Sequence, residues 1–222
     1  MRPKLVVFDV DGTLVDSQTH IHGAMAVAFA AIDRAAPPLA EVRAIVGLSL
    51  PQAVLALAPD LEAVAVDRAV AAYKDSFATT RAQNDGAPLY DGVLDMLALL
   101  SARDDLILGI ATGKSRRGLR HMLDQHDLHG HFFTRQVADD HPSKPHPSML
   151  LAASAETGVA PQDAVMIGDT VFDLQMARAA GMPAIAVDWG YHGRERLEGE
   201  TPAAYAETVA DLPGLINAIL GR

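Results

Sequence analysis

The sequence predicts an α/β protein with a parallel sheet and an inserted all-helical segment. Two observations support this fold class. From residue 86 onward, short apolar runs typical of buried strands alternate with segments of helical period, which is the pattern of right-handed βαβ units. Between residues 16 and 85, every apolar pattern has the helical period. We therefore expect one core formed by residues 1–15 and 86–222, and a helical insertion at residues 16–85.

The first predicted strand is the apolar run at residues 5–8, and the insertion that follows contains four predicted helices. Their apolar faces are formed by Ile21, Met25, Ala28, Phe29 and Ile32; by Leu39, Val42 and Ile45; by residues 50–58; and by Leu61, Val64, Val70, Tyr73 and Phe77. A pair of prolines at 37–38 separates the first two helices, and Gly47 is expected to end the second. The segment Asn84-Asp85-Gly86 predicts a turn.

In the second part of the chain, predicted strands and helices alternate. Asp91 is expected to cap a helix whose inner side carries Leu94, Leu97 and Leu100. The other predicted elements are strands at 106–111, 132–137, 164–167 and 184–187 and helices at 115–126, 146–157 and 211–220, with one more helix that ends at 179–183. The insertion begins directly after the first strand, so we expect it to lie over the carboxyl end of that strand.

Composition excludes several classes of function. The 222 residues carry a formal net charge of −10, which argues against a broad interface with nucleic acid, whose backbone is itself polyanionic. The absence of cysteine excludes disulfides, zinc-thiolate sites and cysteine nucleophiles. The N-terminal apolar run is too short for a signal peptide, and no run approaches the roughly 18 apolar residues of a membrane span. We expect a soluble, cytoplasmic protein without a nucleic-acid or membrane partner.

Two carboxylates, Asp9 and Asp11, follow the first predicted strand. In open α/β sheets the carboxyl ends of the strands are where ligands bind. Gly12 allows the backbone to turn away sharply after the two acids. An ordinary Asp-Gly turn is the alternative explanation of this stretch, and three later stretches decide between the two.

A candidate anion site follows the second predicted strand. Thr112 offers a hydroxyl, Gly113 a backbone N–H, and Ser115 begins a helix, whose N-terminus favours anions. The stretch is not a P-loop, because three residues rather than four separate Gly109 from Gly113. Further on, Lys144 lies beside a proline between a loop and a helix, where its ammonium could neutralise developing charge. An exposed lysine in a proline loop is the alternative.

Two more acids lie at the end of the fourth predicted strand. Asp169 follows this strand and Asp173 lies in the first turn of the next helix, so both are expected to point to the same place. Helix capping explains one such acid, but not two that converge with Asp9 and Asp11. Carboxylates crowded at one sheet edge need a cation, and oxygen ligands next to a phosphate substrate favour Mg²⁺.

These stretches together resemble one known family. The segments Asp9-x-Asp11-Gly12-Thr13, Thr112, Lys144 and Gly168-Asp169-x-x-x-Asp173 occur in the order of the four motifs of the haloacid dehalogenase superfamily. The insertion resembles the cap of its subfamily I, and the resemblance covers essentially the whole chain. It implies a Rossmann-like α/β/α core of three layers, a mobile helical cap, and Mg²⁺-dependent phosphoryl transfer from a small phosphorylated metabolite. We expect a monomer or a homodimer.

The resemblance also implies catalytic roles for individual residues. Asp9 would be the nucleophile that forms an aspartyl-phosphate. Asp11 would protonate the leaving alcohol and then deprotonate the attacking water. Thr112 and the N–H of Gly113 would hold the transferring phosphoryl group, and Lys144 would steady both the nucleophile and the phosphate.

The same resemblance implies a metal site. Asp9, Asp169 and Asp173 would bind Mg²⁺ through their carboxylates, Asp173 directly or through water. Asp11 would contribute its backbone carbonyl. Five further residues are candidate phosphate or substrate contacts, and these are Thr13, Lys114, His146, Arg43 and Gly47.

Two positions favour a phosphatase within this family. Related sugar-phosphate mutases often have valine in place of Thr13, and a histidine where this chain has Ile21 between His20 and His22. Dehalogenases of the superfamily work without metal. We therefore predict a phosphoglycolate-phosphatase-like enzyme, with a β-phosphoglucomutase-like mutase or a pyrophosphatase as alternatives. A receiver-like phosphorylation switch is the non-enzyme alternative, but such domains are shorter and lack a cap.

Overall fold

The computed structural model describes residues 2–82 and 86–221, except for the side chains of residues 78–82. Its centre is a six-stranded sheet in the order β3-β2-β1-β4-β5-β6, with every neighbouring pair parallel. The strands are β1 (Lys4–Phe8), β2 (Leu106–Thr112), β3 (Thr134–Val137), β4 (Ala164–Gly168), β5 (Ala184–Val187) and β6 (Ala204–Ala206). All the carboxyl ends therefore lie at one edge of the sheet.

Ten α-helices occur in the described part of the chain. The insertion contains α1 (Gln18–Ala30), α2 (Leu39–Ile45), α3 (Leu50–Leu57) and α4 (Ala63–Ala82). The core contains α5 (Val93–Ser101), α6 (Arg116–Gln125), α7 (Ser148–Thr157), α8 (Val171–Ala180), α9 (Arg194–Glu198) and α10 (Leu212–Leu220).

The sheet has a helical layer on each face. Successive residues of a strand point to opposite faces, so Val6 and Phe8 of β1 enter one apolar cluster with residues of α5, α6 and α10. Leu5 and Val7 enter a second cluster with residues of α7 and α8. The predicted α/β fold with three layers around a parallel sheet is confirmed.

Helices α1 to α4 pack around an apolar cluster of their own. Each helix contributes to it, for example through Met25, Val42, Val54 and Ala69. Among the described helices, none combines the length and the apolar character that crossing a bilayer requires. The insertion is helical as the sequence predicts, while its movement as a cap stays a prediction.

Two predicted inward positions are wrong. The Leu94 side chain is 52% exposed. Helix α5 also begins after Gly92, with a φ of +83°, and not after Asp91. The buried residues of α5 are Val93, Met96, Leu97 and Leu100. Val64, in the first turn of α4, is 79% exposed, whereas Val66 is buried. The other predicted positions of the two helices do face the apolar clusters, namely Leu97 and Leu100 in α5 and Val70, Tyr73 and Phe77 in α4.

Three other details differ from the predictions. Helix α9 and strand β6 were not predicted, because five and three residues are too short to show a period. Helix α2 ends at Ile45, so Gly47 lies in the loop beyond it, with a φ of +100°. The predicted turn at 84–86 falls partly outside the described residues.

Candidate active site

The carboxyl ends of three adjacent strands bring the predicted residues together. In the sheet, Phe8 of β1 pairs with Ile110 of β2 on one side and with Ile167 of β4 on the other. The residues that follow these positions therefore meet at one edge. They include Asp9, Thr112 and Asp169, and each of these side chains is buried.

Three carboxylates form a cluster that could hold a metal ion. Oxygen atoms of Asp9, Asp169 and Asp173 all lie within 4.8 Å of one another. Both carboxylate oxygens of Asp9 are buried: Oδ1 lies 2.9 Å from the Lys144 ammonium, and Oδ2 has no hydrogen-bond partner among the described residues. Burial raises the pKa of Asp169, and the charges of Asp173 and Asp9 raise it further. A buried set of oxygen donors that repel each other fits a hard divalent cation.

Lys144 lies at the centre of the acids. Its side chain is fully buried, and its Nζ lies 2.6 Å from Asp173 Oδ1 and 2.9 Å from Asp9 Oδ1. Burial alone would lower the pKa of Lys144, but the charges of Asp173 and Asp9 raise it above its usual value, so the ammonium is charged. Burial raises the pKa of Asp9 to about 7, although Lys144 opposes this shift. The alternative of an exposed lysine is therefore wrong.

Local hydrogen bonds fix the two acids of the fourth motif. Asp173 Oδ2 accepts hydrogen bonds from the Thr170 backbone N at 3.1 Å and from its hydroxyl at 2.6 Å, in a capping box at the start of α8. Asp169 accepts from the Thr13 hydroxyl at 3.0 Å and from the Tyr191 backbone N at 2.9 Å. Thr13, predicted as a phosphate contact, thus orients a carboxylate of the metal cluster.

Gly12 permits this arrangement sterically. Its φ is +87°, in the left-handed region that favours glycine. A Cβ atom at this position would lie 2.1 Å from Asp169 Oδ2. The glycine in the first motif is therefore needed for the close approach of Asp169 as well as for the turn.

Asp11 has partners different from those of Asp9. Its Oδ1 accepts hydrogen bonds from the Ser17 hydroxyl and from the Lys114 ammonium. Its side chain does not belong to the cluster formed by Asp9, Asp169 and Asp173. That its backbone carbonyl binds the metal stays a prediction. Lys114, predicted as a substrate contact, lies at the site and forms an ion pair with Asp11.

A cavity of about 470 Å³ lies between the insertion and the core. Asp9, Asp11, Thr112, Gly113 and Lys114 line it on the core side. Tyr73 and Phe77, predicted to belong to the core of the insertion, pack against that core and also line the cavity. Other lining residues were not singled out in the sequence, because only the packing of α1, α4 and α6 brings them there. They are His20, Lys74, Arg117, His121, Met122 and Gln125. The cavity gives a substrate access to the acids at the sheet edge.

The loop after α2 touches the predicted anion site directly. A Cβ atom on Gly113 would lie 2.7 Å from the carbonyl oxygens of both Gly47 and Leu48. The next residue, Ser49, donates its backbone N–H to the Ser143 hydroxyl at 2.8 Å. Gly47, predicted as a substrate contact, thus lies in a loop next to the anion site.

Two predicted substrate contacts lie elsewhere. The Arg43 side chain is exposed, and its Nε donates to Gln18 Oε1 at 2.9 Å. His146 is also exposed, and its Nδ1 accepts from the Ser148 backbone N at 3.2 Å. Neither side chain lines the cavity. Proximity in sequence to Gly47 and Lys144 does not determine the direction in which these two side chains point.

A buried histidine that the sequence did not single out joins the insertion to the core. His192 Nδ1 accepts from the Val171 backbone N at 3.1 Å, so its Nε2 donates to the Ala44 carbonyl, 3.2 Å away. Burial, with a smaller effect of Arg196, lowers the pKa of His192 to about 4. The neutral ring therefore links the start of α8 to the end of α2.

Comparison with known proteins identifies the family. Residues 6–187 match the sequence model of the haloacid dehalogenase-like hydrolases. The chain belongs to this family. Because the match spans all four motifs, the resemblance inferred from the sequence is confirmed.

Full-length relatives of this haloacid dehalogenase-like hydrolase are named phosphatases. The chain is 35% identical to "Probable phosphatase IndB" of Dickeya dadantii (strain 3937), over 99% of this chain and 96% of that protein. It is 31% identical to "Phosphoglycolate phosphatase" of Xylella fastidiosa (strain 9a5c), over 97% and 92%. A haloacid dehalogenase-like family hydrolase from Streptococcus pneumoniae superposes with a TM-score of 0.82 at 26% identity, over 96% of this chain and 97% of that chain. The chain is thus a phosphoglycolate-phosphatase-like hydrolase that acts on phosphate esters.

Proposed function

We propose that this hydrolase is a Mg²⁺-dependent phosphatase that cleaves small phosphate monoesters through an aspartyl-phosphate on Asp9. The observation that carries the proposal is the environment of the Asp9 carboxylate. It is buried beside the Lys144 ammonium and two further carboxylates, yet it lines a cavity that can admit a phosphate ester. These are the surroundings that a carboxylate nucleophile needs in order to meet an anionic phosphoryl group.

In the first step, a carboxylate oxygen of Asp9 attacks the phosphorus atom and forms an acyl-phosphate bond. The bond between phosphorus and the leaving oxygen breaks. Asp11 supplies the proton that this oxygen takes up. The Thr112 hydroxyl and the Gly113 N–H bind the phosphoryl oxygens, and Lys144 offsets the negative charge that approaches Asp9.

In the second step, a water molecule attacks the phosphorus atom of the aspartyl-phosphate. Asp11, now a carboxylate, takes the proton from this water. The bond between Asp9 and phosphorus breaks, which releases inorganic phosphate and restores both carboxyl groups to their starting forms. The same residue therefore acts as acid and then as base.

The metal would be held by the carboxylates of Asp9, Asp169 and Asp173, with the backbone carbonyl of Asp11. When bound, Mg²⁺ would neutralise negative charge between the nucleophile and the phosphoryl group. The all-oxygen donor set favours Mg²⁺ over softer cations. Thr13 and Tyr191 support this set by holding Asp169 in place.

Phosphoglycolate is the first substrate to test, since several relatives carry its name. Lys74, Lys114 and Arg117 line the cavity and suit a second anionic group, such as a carboxylate. The cavity volume also admits larger esters, so sugar phosphates and nucleotides belong in the test. The proposed partner is thus a small phosphorylated metabolite, while a monomeric or homodimeric state and a cytoplasmic location stay predictions.

The proposal is tested by a panel of esters assayed with and without MgCl₂. The panel contains p-nitrophenyl phosphate, phosphoglycolate, sugar phosphates, nucleotides and pyrophosphate. Because His20 lines the cavity beside Ile21, conversion of hexose 1-phosphate to 6-phosphate is measured too. We expect Mg²⁺-dependent hydrolysis and a loss of at least about a thousandfold in Asp9→Asn, while Asp67→Asn on the exposed side of α4 keeps full activity. If the wild-type protein turns over no ester faster than Asp9→Asn, the proposal is wrong.

A further inference from the structure

The loop at residues 188–193 follows β5 and returns across the ends of the central strands. Two hydrogen bonds fix its position. Trp189 Nε1 donates to the Thr13 carbonyl at 3.1 Å, and the Tyr191 backbone N donates to Asp169 Oδ2 at 2.9 Å. The loop therefore brings the Tyr191 side chain next to the first motif, which lies more than 170 positions earlier in the sequence.

The Tyr191 hydroxyl continues into a chain of hydrogen bonds. The Ser17 backbone N donates to the Tyr191 hydroxyl at 2.9 Å. The phenol is protonated at neutral pH, and its hydrogen is free to point to Ser17 Oγ, which lies 3.1 Å away. The Ser17 hydroxyl in turn donates to Asp11 Oδ1. The Tyr90 side chain is a further hydrogen-bond partner of Tyr191. With the Tyr90 hydroxyl as donor to the Tyr191 oxygen, each hydroxyl hydrogen is used once, and the relay from Tyr191 through Ser17 ends on the Asp11 carboxylate.

This relay distinguishes the two oxygens of Asp11. Oδ1 accepts from both Ser17 and Lys114. Within the described part of the chain, no hydrogen bond goes to Oδ2. Ser17 and Asp11 are only 1% and 8% exposed, and buried hydrogen bonds of this kind hold side-chain geometry well. One oxygen is thus anchored, and the other is available for proton transfer.

We propose that Ser17 and Tyr191 are positioning residues, which hold Asp11 so that its Oδ2 atom meets the leaving oxygen of the substrate. The inference rests on the proposed role of Asp11 as acid and base. Neither residue belongs to the four motifs. Ser17 acts by contact with Asp11, and Tyr191 acts through Ser17.

A positioning role makes a specific kinetic prediction. Protonation by Asp11 matters most when the leaving group is a poor one, such as an alkoxide. It matters little for p-nitrophenolate, which leaves without a proton. Because kcat/KM reports the steps up to departure of the leaving group, a misplaced Asp11 should lower kcat/KM for alkyl phosphates selectively.

The test compares p-nitrophenyl phosphate with the alkyl phosphate that the wild-type enzyme hydrolyses fastest. In Tyr191→Phe we expect kcat/KM to fall about tenfold for the alkyl ester and less than about twofold for p-nitrophenyl phosphate. Ser17→Ala should show the same selectivity. Tyr205→Phe is the matched control, because Tyr205 lies on β6 with its ring stacked against the Arg194 guanidinium. This variant should change kcat/KM for neither ester.

The outcomes separate this inference from the proposed function. Equal losses for the two esters, or no loss for either, in variants whose thermal unfolding matches the wild type would overturn the positioning role alone. If Tyr191→Phe does not fold, Ser17→Ala decides on the same criterion. Failure of the wild-type enzyme to hydrolyse any ester would instead refute the proposed function.

Discussion

Replacing Lys144 by methionine would test the electrostatic design of the site. The ammonium is fully buried and lies between two carboxylates, 2.6 Å from Asp173 Oδ1 and 2.9 Å from Asp9 Oδ1. Methionine keeps the length and much of the volume of the side chain but removes its charge. The variant would therefore leave three buried carboxylates close together without a cation from the protein.

The expected loss of stability is large. Removing one partner of a buried ion pair typically costs about 3–5 kcal/mol, because the other charge stays buried and uncompensated. Since Lys144 serves two carboxylates, we expect a loss of about 4–5 kcal/mol in metal-free protein at pH 8. For a chain of this length, that corresponds to a decrease in Tm of about 10–15 °C.

The loss should depend on pH. Burial raises the pKa of Asp9 from 3.8 to about 7 even with Lys144 present, and removal of the ammonium raises it further. Between pH 3.8 and the raised pKa of Asp9, this carboxyl group binds more protons in the folded state than in the unfolded state. Its contribution to stability therefore falls as pH rises. Protonation of the carboxyl groups at pH 5 should therefore reduce the cost of Lys144→Met.

Chemical denaturation at pH 5 and pH 8 in EDTA measures these quantities. Lys4→Met is the matched control, because Lys4 also pairs with an aspartate, Asp163, at 2.5 Å, but both side chains are partly exposed. Such a pair contributes about 0–1 kcal/mol. The reasoning is refuted if Lys144→Met costs no more than Lys4→Met at pH 8, or if its cost is the same at both pH values.

Two further predictions concern the metal cluster and the glycine beside it. In metal-free wild-type protein, the raised pKa of Asp9 means that the contribution of Asp9 to stability falls as pH rises from 3.8 to about 7. MgCl₂ needs the ionised carboxylates, so it should raise Tm more at pH 8 than at pH 5 in thermal unfolding, and equal shifts would contradict the assigned ligands. Gly12→Ala should abolish phosphatase activity and destabilise the fold by more than about 2 kcal/mol, because its Cβ would lie 2.1 Å from Asp169 Oδ2. Gly158 has a similarly positive φ, but a Cβ atom there would have nothing within 4 Å. Gly158→Ala is therefore the control, and it should cost only about 1–2 kcal/mol of stability and keep activity. Similar losses of stability in the two variants would show that backbone strain alone matters at Gly12.

The sequence predicted the core of the site because the relevant residues are adjacent to strand ends. Asp9, Thr112 and Asp169 each lie at or directly after the end of a buried apolar run, and a parallel sheet brings all such ends to one edge. Asp173 follows at a helical spacing that local geometry also fixes. No knowledge of long-range packing was needed to place these four residues together.

Predictions that depended on the orientation of a whole element were less successful. Leu94 and Val64 are exposed, although other predicted residues of α5 and α4, such as Leu97 and Val70, do face the apolar clusters. Arg43 does not line the cavity although Ile45 and Gly47 do, and His146 is exposed although Lys144, two positions before it, is buried among the acids. Local sequence fixes that a helix or loop exists, but the packing of that element decides which of its sides faces the site.

By itself, the sequence determined the fold class, the four motifs and the chemistry that their charged groups allow. Only the tertiary structure decided which hydrogen-bond donor contacts which acid. Thr13 and Tyr191 donate to Asp169, whereas Ser17 and Lys114 donate to Asp11. The partners of Asp169 lie 156 and 22 positions away from it. Such pairings arise because neighbouring strands of the parallel sheet end at the same edge. Buried polar groups there must find partners that no local pattern records.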